Sequence, residues 1–253
     1  DRRRIRSFSD GFGGYSHPTL RSRPYDVELA QDYFAQAGYK TRGPDGVLVN
    51  DSGQKLSLVL TVANNGNNAE VASLLKTEAM KSGLELSLDL LDRTAFFTKI
   101  FEKKFQIAQH SWNTGYSKLP VYQWELRGED AGKTRNFNTT NIQDDELDAL
   151  LAEWDTLTDP LRAKQVAHGI QERAHEFAAW VPGLTVDYTR WGYSRSIKWP
   201  DYFQVPRYFF FLESGVFWID ETVKQETQEA QKQDKSFAAK TTIYDRWKKA
   251  DDS

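Results

Sequence analysis

Residues 56–111 read LSLVLTVANNGNNAEVASLLKTEAMKSGLELSLDLLDRTAFFTKIFEKKFQIAQHS, and this stretch decides the fold. Leu56, Leu58, Leu60 and Val62 alternate with Ser57, Val59 and Thr61, the period-two pattern of a strand over 56–62. An Asn-rich loop, Asn64-Asn65-Gly66-Asn67-Asn68, leads to a helix with Val71, Leu74, Leu75 and Ala79 on one face, stopped by Gly83. Leu84, Leu86, Leu88 and Leu90 then alternate with Glu85, Ser87 and Asp89 as a second strand. Asp92 caps a helix carrying Phe96, Phe97, Ile100 and Phe101, and a third strand runs from Phe105 to Ser111. The order is β-α-β-α-β with short connections. Right-handed crossovers and a parallel or mixed sheet flanked by helices follow, so the fold class is α/β.

Working outward, residues 1–25 are Gly-bearing, basic and irregular. Asp26 starts a helix with Val27, Ala30, Phe34 and Ala37 at helical spacing, closed by Gly38. Turns at 43–46 and 50–53 bracket a short strand, Val47-Leu48-Val49. Beyond the sheet lies an aromatic, Gly- and Asn-bearing stretch from Trp112 to Ile142. Two helices follow, the first lined by Leu147, Leu150, Leu151 and Trp154. The second opens at Asp159-Pro160 with a stripe of Leu161, Val166, Ile170, Ala174 and Phe177. A strand is expected from Trp180 to Val186; residues 187–219 are aromatic and irregular, and the chain turns polar from about 220.

Composition narrows the function. The 33 basic and 36 acidic residues among 253 give a net charge of −3, without the basic field that nucleic-acid binding needs. No window approaches the roughly 18 uninterrupted apolar residues of a membrane span. With 0 Cys there is no disulfide, no thiolate nucleophile and no cysteine zinc site. The opening Asp1-Arg2-Arg3-Arg4 has neither an initiator Met nor a signal segment, as expected of a piece of something longer.

The catalytic motifs fail one by one. Gly128-x-x-x-Gly132-Lys133-Thr134 has three residues between its glycines where a phosphate loop needs four. His168, Glu172 and His175 share one helix, but the two histidines lie roughly 10 Å apart along its axis, too far for one metal ion. Their face is expected to be solvated. Asp144-Asp145-Glu146 favours a helix start, a structural role, and Asn138-Thr139-Thr140 matches a glycosylation acceptor. No catalytic residue, metal ligand or cofactor is assigned.

Position carries more than motif. In open α/β sheets ligands sit beyond the carboxyl ends of the strands. Those ends carry the Asn64–Asn68 loop and Trp112-Asn113-Thr114-Gly115-Tyr116, whose rings and amides suit a peptide or a sugar. The candidate ligand-binding residues are Trp112, Asn113, Tyr116, Asn136 and Asn138.

The series Tyr25-Asp26-Val27-Glu28-Leu29-Ala30, Ala37-Gly38-Tyr39, Asp45-Gly46 and Ser52-Gly53-Gln54-Lys55-Leu56, continued by residues 74–112 and 138–184, resembles the family 5 extracellular solute-binding proteins of ABC importers. The match runs in order from about Tyr25 to Leu184. The resemblance implies a binding protein rather than an enzyme, taking peptide-like solutes between two lobes and delivering them to an ABC permease. It implies periplasmic or lipoprotein localisation, and it makes this chain the C-terminal lobe. On that reading 1–25 is a leading segment from an N-terminal lobe, 26–186 is the α/β lobe, and 187–253 returns toward the other lobe. In peptide-binding members a W-x-x-D-Y pattern holds an Asp for the peptide's amino group; Trp112 and Tyr116 match it, but Gly115 stands at the Asp position. An oligosaccharide- or opine-like solute is the alternative on the same fold. A carbohydrate-active enzyme module is a further one, requiring a carboxylate pair about 5–10 Å apart at the cleft.

Overall fold

The computed structural model describes residues 3–110, 119–120, 122–185, 192–200 and 217–243. The chain forms two compact units: a larger one of Arg4–Asn113 with Leu119–Leu184, and a smaller one of Asp1–Arg3, Thr114–Lys118 and Thr185–Ser253.

In the larger unit, α1 (Val27–Gln36) is capped by the Asp26 carboxylate, which accepts from the Leu29 N–H at 2.9 Å. A hairpin follows, pairing β1 (Thr41–Arg42) with β2 (Leu48–Val49). The sheet proper has β3 (Ser57–Ala63) at its centre, with β4 (Glu85–Leu91) and β5 (Ile107–Gln109) on either side, all parallel. Leu60 sits opposite Leu88 on one side and Ile107 on the other.

The crossovers α2 (Asn68–Lys81) and α3 (Arg93–Phe101) cover opposite faces. Strand alternation explains this division. Leu60, Val62 and Leu86 pack with Ala72 of α2, while Ala63 meets Phe96 and Ile100 of α3. On the α3 face, Thr61 and Lys99 both donate to the Asp89 carboxylate, at 3.2 and 2.7 Å.

The face expected for α2 is displaced. Ala72 is its buried residue, whereas Leu74 and Leu75 are exposed. A helix on a sheet approaches closely where its residues are small, so Ala72 seats it and the leucines flank the contact. At its end, Gly83 has φ +89°, and its carbonyl accepts from the Leu48 N–H at 2.9 Å. A Cβ there would lie 2.5 Å from Leu48 Cγ, so glycine is required twice over.

After β5 the chain forms α4 (Gln123–Leu126), then α5 (Asp145–Thr156) and α6 (Pro160–Glu176). Asp144 and Asp159 cap the latter two, accepting from Leu147 N–H at 2.8 Å and Leu161 N–H at 2.9 Å. Tyr122, Leu126, Ile142, Leu147, Leu151, Val166, Ala167 and Ile170 form a second core. Leu161 and Phe177, expected in that stripe, lie outside it and are exposed, because they stand at the two ends of α6. Of the strand expected over 180–186, the described residues show Leu184–Thr185, and Val186 lies outside them.

The leading segment meets α6 around a buried amide. Buried Gln171 accepts from Ser7 Oγ–H and His17 N–H, both at 3.0 Å, and donates to the carbonyls of Tyr15 at 2.7 Å and Ala167 at 2.8 Å and to the Tyr122 hydroxyl at 3.2 Å. Burial holds the Tyr122 phenol far above its ordinary pKa, so it stays neutral here.

In the smaller unit, β6 (Ile197–Lys198) pairs antiparallel with β7 (Trp218–Ile219). α7 (Glu221–Lys232) follows, capped by Asp220. The Arg195 guanidinium lies 3.7 Å from the Phe237 ring centroid and pairs with Glu226 at 3.2 Å.

Candidate functional site

Parallel strands deliver their chain ends to one edge of the sheet. At the end of β3, Asn64 N–H donates to the Leu91 carbonyl at 2.7 Å, tying the loop to the end of β4. Asn68 folds back to donate to the Ala63 carbonyl at 3.1 Å and to Asn65 Oδ1 at 2.6 Å. Asn64, Asn65 and Asn67 remain exposed, and Asn67 begins α2 with no side-chain cap bond. Asp92 follows β4 and accepts from the N–H groups of Thr94 at 2.9 Å and Ala95 at 3.1 Å.

Beyond β5, the His110 ring meets the edge of Phe97 with centroids 5.4 Å apart. The Arg93 guanidinium lies over that same Phe97 ring, 5.7 Å from its centroid. Among the described residues this edge therefore offers uncharged amides, an aromatic surface, the Arg93 cation and the Asp92 carboxylate.

Trp112, Asn113 and Tyr116, with Gly115, lie outside the described residues. Asn136 and Asn138 are described, and they are elsewhere. Their loop packs at the opposite end of α3: Arg135 N–H donates to the Phe101 carbonyl at 2.8 Å, and Lys103 Nζ to the Asp130 carbonyl at 2.9 Å. A nine-residue helix separates that end from Asp92 by roughly 13 Å, at 1.5 Å per residue.

Asn136 donates to the carbonyls of Asp130 and Lys133, both at 2.9 Å, while its Oδ1 is buried without a partner. Asn138 is completely buried. Its Nδ2 donates to the carbonyls of Arg127 at 2.9 Å and Ile142 at 2.8 Å, and its Oδ1 accepts from Ile142 N–H at 3.1 Å. Both its amide hydrogens are engaged inside the loop, so neither a solute nor a glycan finds them free.

The Gly128 N–H donates to Asp148 Oδ1 at 2.8 Å, filling with a carboxylate the place a phosphate would take. The face of α6 expected to be solvated is so at Glu172, which is exposed, but the leading segment packs over His168: its ring lies 5.2 Å from that of His17, and its Nε2 is 3.0 Å from the Gly14 carbonyl. His17 pairs with Glu172 at 2.7 Å. Among the described residues no group of three or more His, Asp or Glu could hold a metal ion.

Two buried polar groups carry no signal in the sequence. Gln171 is the hub described above. Glu125 on α4 is only 6% exposed, and its Oε2 has no hydrogen-bond partner. Burial pushes its carboxyl up to about 7.

A parallel sheet with helices on both faces places exposed amides at its carboxyl edge, where open α/β sheets commonly receive ligands. Residues 5–134, just over half the chain, match the family described as bacterial extracellular solute-binding proteins, family 5 middle region. The chain belongs to that family, whose members bind solutes rather than transform them. No curated protein matches it.

Among solved structures it is similar to the oligopeptide-binding protein AppA from Bacillus subtilis in complex with a nonapeptide. The TM-score is 0.68 at 16% identity, over 87% of this chain and 43% of that one. It is also similar to the periplasmic binding protein DppA from Helicobacter pylori in complex with the peptide STSA, with a TM-score of 0.60 at 15% identity, over 72% and 33%. A mannohexaose-bound periplasmic oligopeptide-binding protein from Thermotoga maritima gives 0.55 at 19% identity, over 63% and 30%. The chain spans less than half the length of each of these proteins. No described helix is long and apolar enough to cross a membrane.

Proposed function

We propose that this chain is the C-terminal solute-capturing lobe of an ABC importer receptor for peptides or peptide-like solutes. The match of residues 5–134 to the family carries this reading. The nonapeptide and STSA complexes of two similar proteins support the solute class. A solute bridging this lobe and an N-terminal lobe stabilises the closed state, and the closed form is what a membrane permease recognises. In this reading Trp112 and Tyr116 supply ring faces and Asn113 an amide. No bond is made or broken and no cofactor takes part. The receptor works in the periplasm, free or tethered as a lipoprotein.

Calorimetry of the full-length protein with tri- to pentapeptide mixtures tests this reading. Saturable heat supports it. Absence of heat with peptides, together with heat from mannooligosaccharides, favours a second reading: the same fold taking an oligosaccharide. The mannohexaose complex of the Thermotoga maritima protein and Gly115 at the Asp position of the pattern motivate that alternative.

A further inference from the structure

The chain contains a single Asn-Gly step, Asn65-Gly66, in the exposed loop between β3 and α2. An asparagine followed by glycine is open to a reaction within its own backbone. The next amide nitrogen reaches the side-chain carbonyl carbon, because no Cβ stands in the way. Whether a fold permits this depends on the two reacting groups, and here both are available. The Gly66 N–H makes no hydrogen bond among the described residues. Gly66 has φ +54°, and a Cβ built on it meets nothing within 4 Å, so nothing packs against the loop at that point. The Asn65 amide is held from one side only. Its Oδ1 accepts from Asn68 Nδ2 at 2.6 Å, which polarises the carbonyl carbon, while its own Nδ2 donates to no described residue.

Comparable steps elsewhere lack this combination. Asn138 is buried with both amide hydrogens engaged. Asn50 accepts from the N–H groups of Ser52 and Gln54 and precedes Asp51, whose side chain hinders approach. Asp45 precedes Gly46, but its hydrogen bond from Lys55 holds the carboxyl below the ordinary carboxylate range, and a carboxylate resists nucleophilic attack. Asp10, before Gly11, pairs with Arg6.

We propose that Asn65 is a self-modification site. The Gly66 nitrogen gives up its proton to water and attacks Asn65 Cγ. The Cγ–Nδ2 bond then breaks, and the departing nitrogen takes a proton from water to leave as ammonia. Water opens the resulting succinimide: attack at Cγ gives aspartate, and attack at the main-chain carbonyl carbon gives isoaspartate. The net change is asparagine plus water to aspartate or isoaspartate plus ammonia, with nothing oxidised or reduced. Either product puts a carboxylate where the sheet edge now offers an uncharged amide. Isoaspartate also adds a carbon to the backbone, which draws Asn68 off the Ala63 carbonyl it reaches at 3.1 Å. The edge thus carries a slow, irreversible change of charge, whatever solute the protein takes.

The test is ageing of the full-length protein at neutral and mildly alkaline pH, followed by trypsin digestion and mass spectrometry of the Leu56–Lys76 peptide. Fragmentation locates the site, and labelling by an isoaspartyl methyltransferase reports the isomer. The wild type is expected to gain the mass of an NH2-to-OH exchange at Asn65, faster at the higher pH, with isoaspartate among the products. Gly66→Ala is expected to slow the conversion about tenfold or more. Asn65→Gln is expected to stop it on the same timescale, because the ring it would form is larger and slower to close. A free synthetic peptide of residues 56–76 gives the rate without the fold, and the folded protein is expected within about tenfold of it.

Conversion of the free peptide with Asn65 intact in the folded protein overturns the proposal, since the fold would then hold nitrogen and carbon apart. Conversion spread equally over Asn64, Asn65, Asn67 and Asn68 also overturns it, as does an unchanged rate in Gly66→Ala.

Discussion

Replacing Glu125 by glutamine isolates the one buried carboxyl of α4. Its ordinary pKa is 4.5, and burial raises it to about 7 in the folded chain. The raised value means that the folded state holds a proton the unfolded state has already released. Stability from this group is therefore fully present below pH 4.5 and is lost as pH rises through 7. The interval corresponds to about 3 kcal/mol, at ~1.36 kcal/mol per pH unit. Glu125→Gln removes the titration while keeping the shape. Relative to wild type, the variant should gain about 3 kcal/mol at pH 8.5 and be nearly neutral at pH 4.5. Urea unfolding at constant ionic strength, at half-unit steps from pH 4.5 to 8.5, measures the difference directly. Parallel stability curves for the two proteins would refute the reasoning, because they would mean that the carboxylate finds a partner or reaches water in the folded state.

Gly83→Ala should cost about 2–4 kcal/mol, since it forces alanine to φ +89° and drives a Cβ to 2.5 Å from Leu48 Cγ; a thermal midpoint within a degree of wild type would contradict this. Gln171→Ala strips partners from the Ser7 hydroxyl, the His17 N–H and the Tyr15 carbonyl, so a loss of more than about 2 kcal/mol is expected, with proteolysis appearing first within residues 5–20. Trp112→Ala and Tyr116→Ala in the full-length protein should each weaken solute binding about tenfold or more by calorimetry, with little change in unfolding midpoint.

The sheet was legible because alternation from Leu56 to Val62 and Leu84 to Leu90 is a local signal, and local signals survive folding. The caps were legible for the same reason: Asp26, Asp92, Asp144 and Asp159 each accept from a backbone N–H two or three residues ahead. What failed to read depended on distant partners. Leu74 and Leu161 carry the right hydrophobicity for a core, but seating of the helices decides which side of a turn is covered, and that is a tertiary outcome. Nothing near Gln171 announces a leading segment more than 150 residues away. Asn136 and Asn138 share composition with a ligand loop, yet their chain segment is drawn to the far end of α3 by Arg135, Lys103 and the Phe137 ring on Phe101. Arg93 and Phe97 are separated by four residues on a helix, a spacing any sequence shows often; only the sheet puts them at its carboxyl edge.

The Gln171 hub also sets an order of events during synthesis. Ser7 meets its acceptor across 164 residues of chain, and His17 across 154. At ~5–20 residues per second, the ribosome makes the leading segment roughly 8–30 s before it makes the amide that satisfies it. In that interval Phe8, Tyr15 and the segment's backbone donors have no native partner on α6. The sheet between residues 57 and 109, whose strands and crossovers are close in sequence, is complete well before then. Nascent chains stalled before residue 160 should therefore protect the sheet from protease while leaving the first twenty residues open to cleavage. A chain extended past residue 176 should close both.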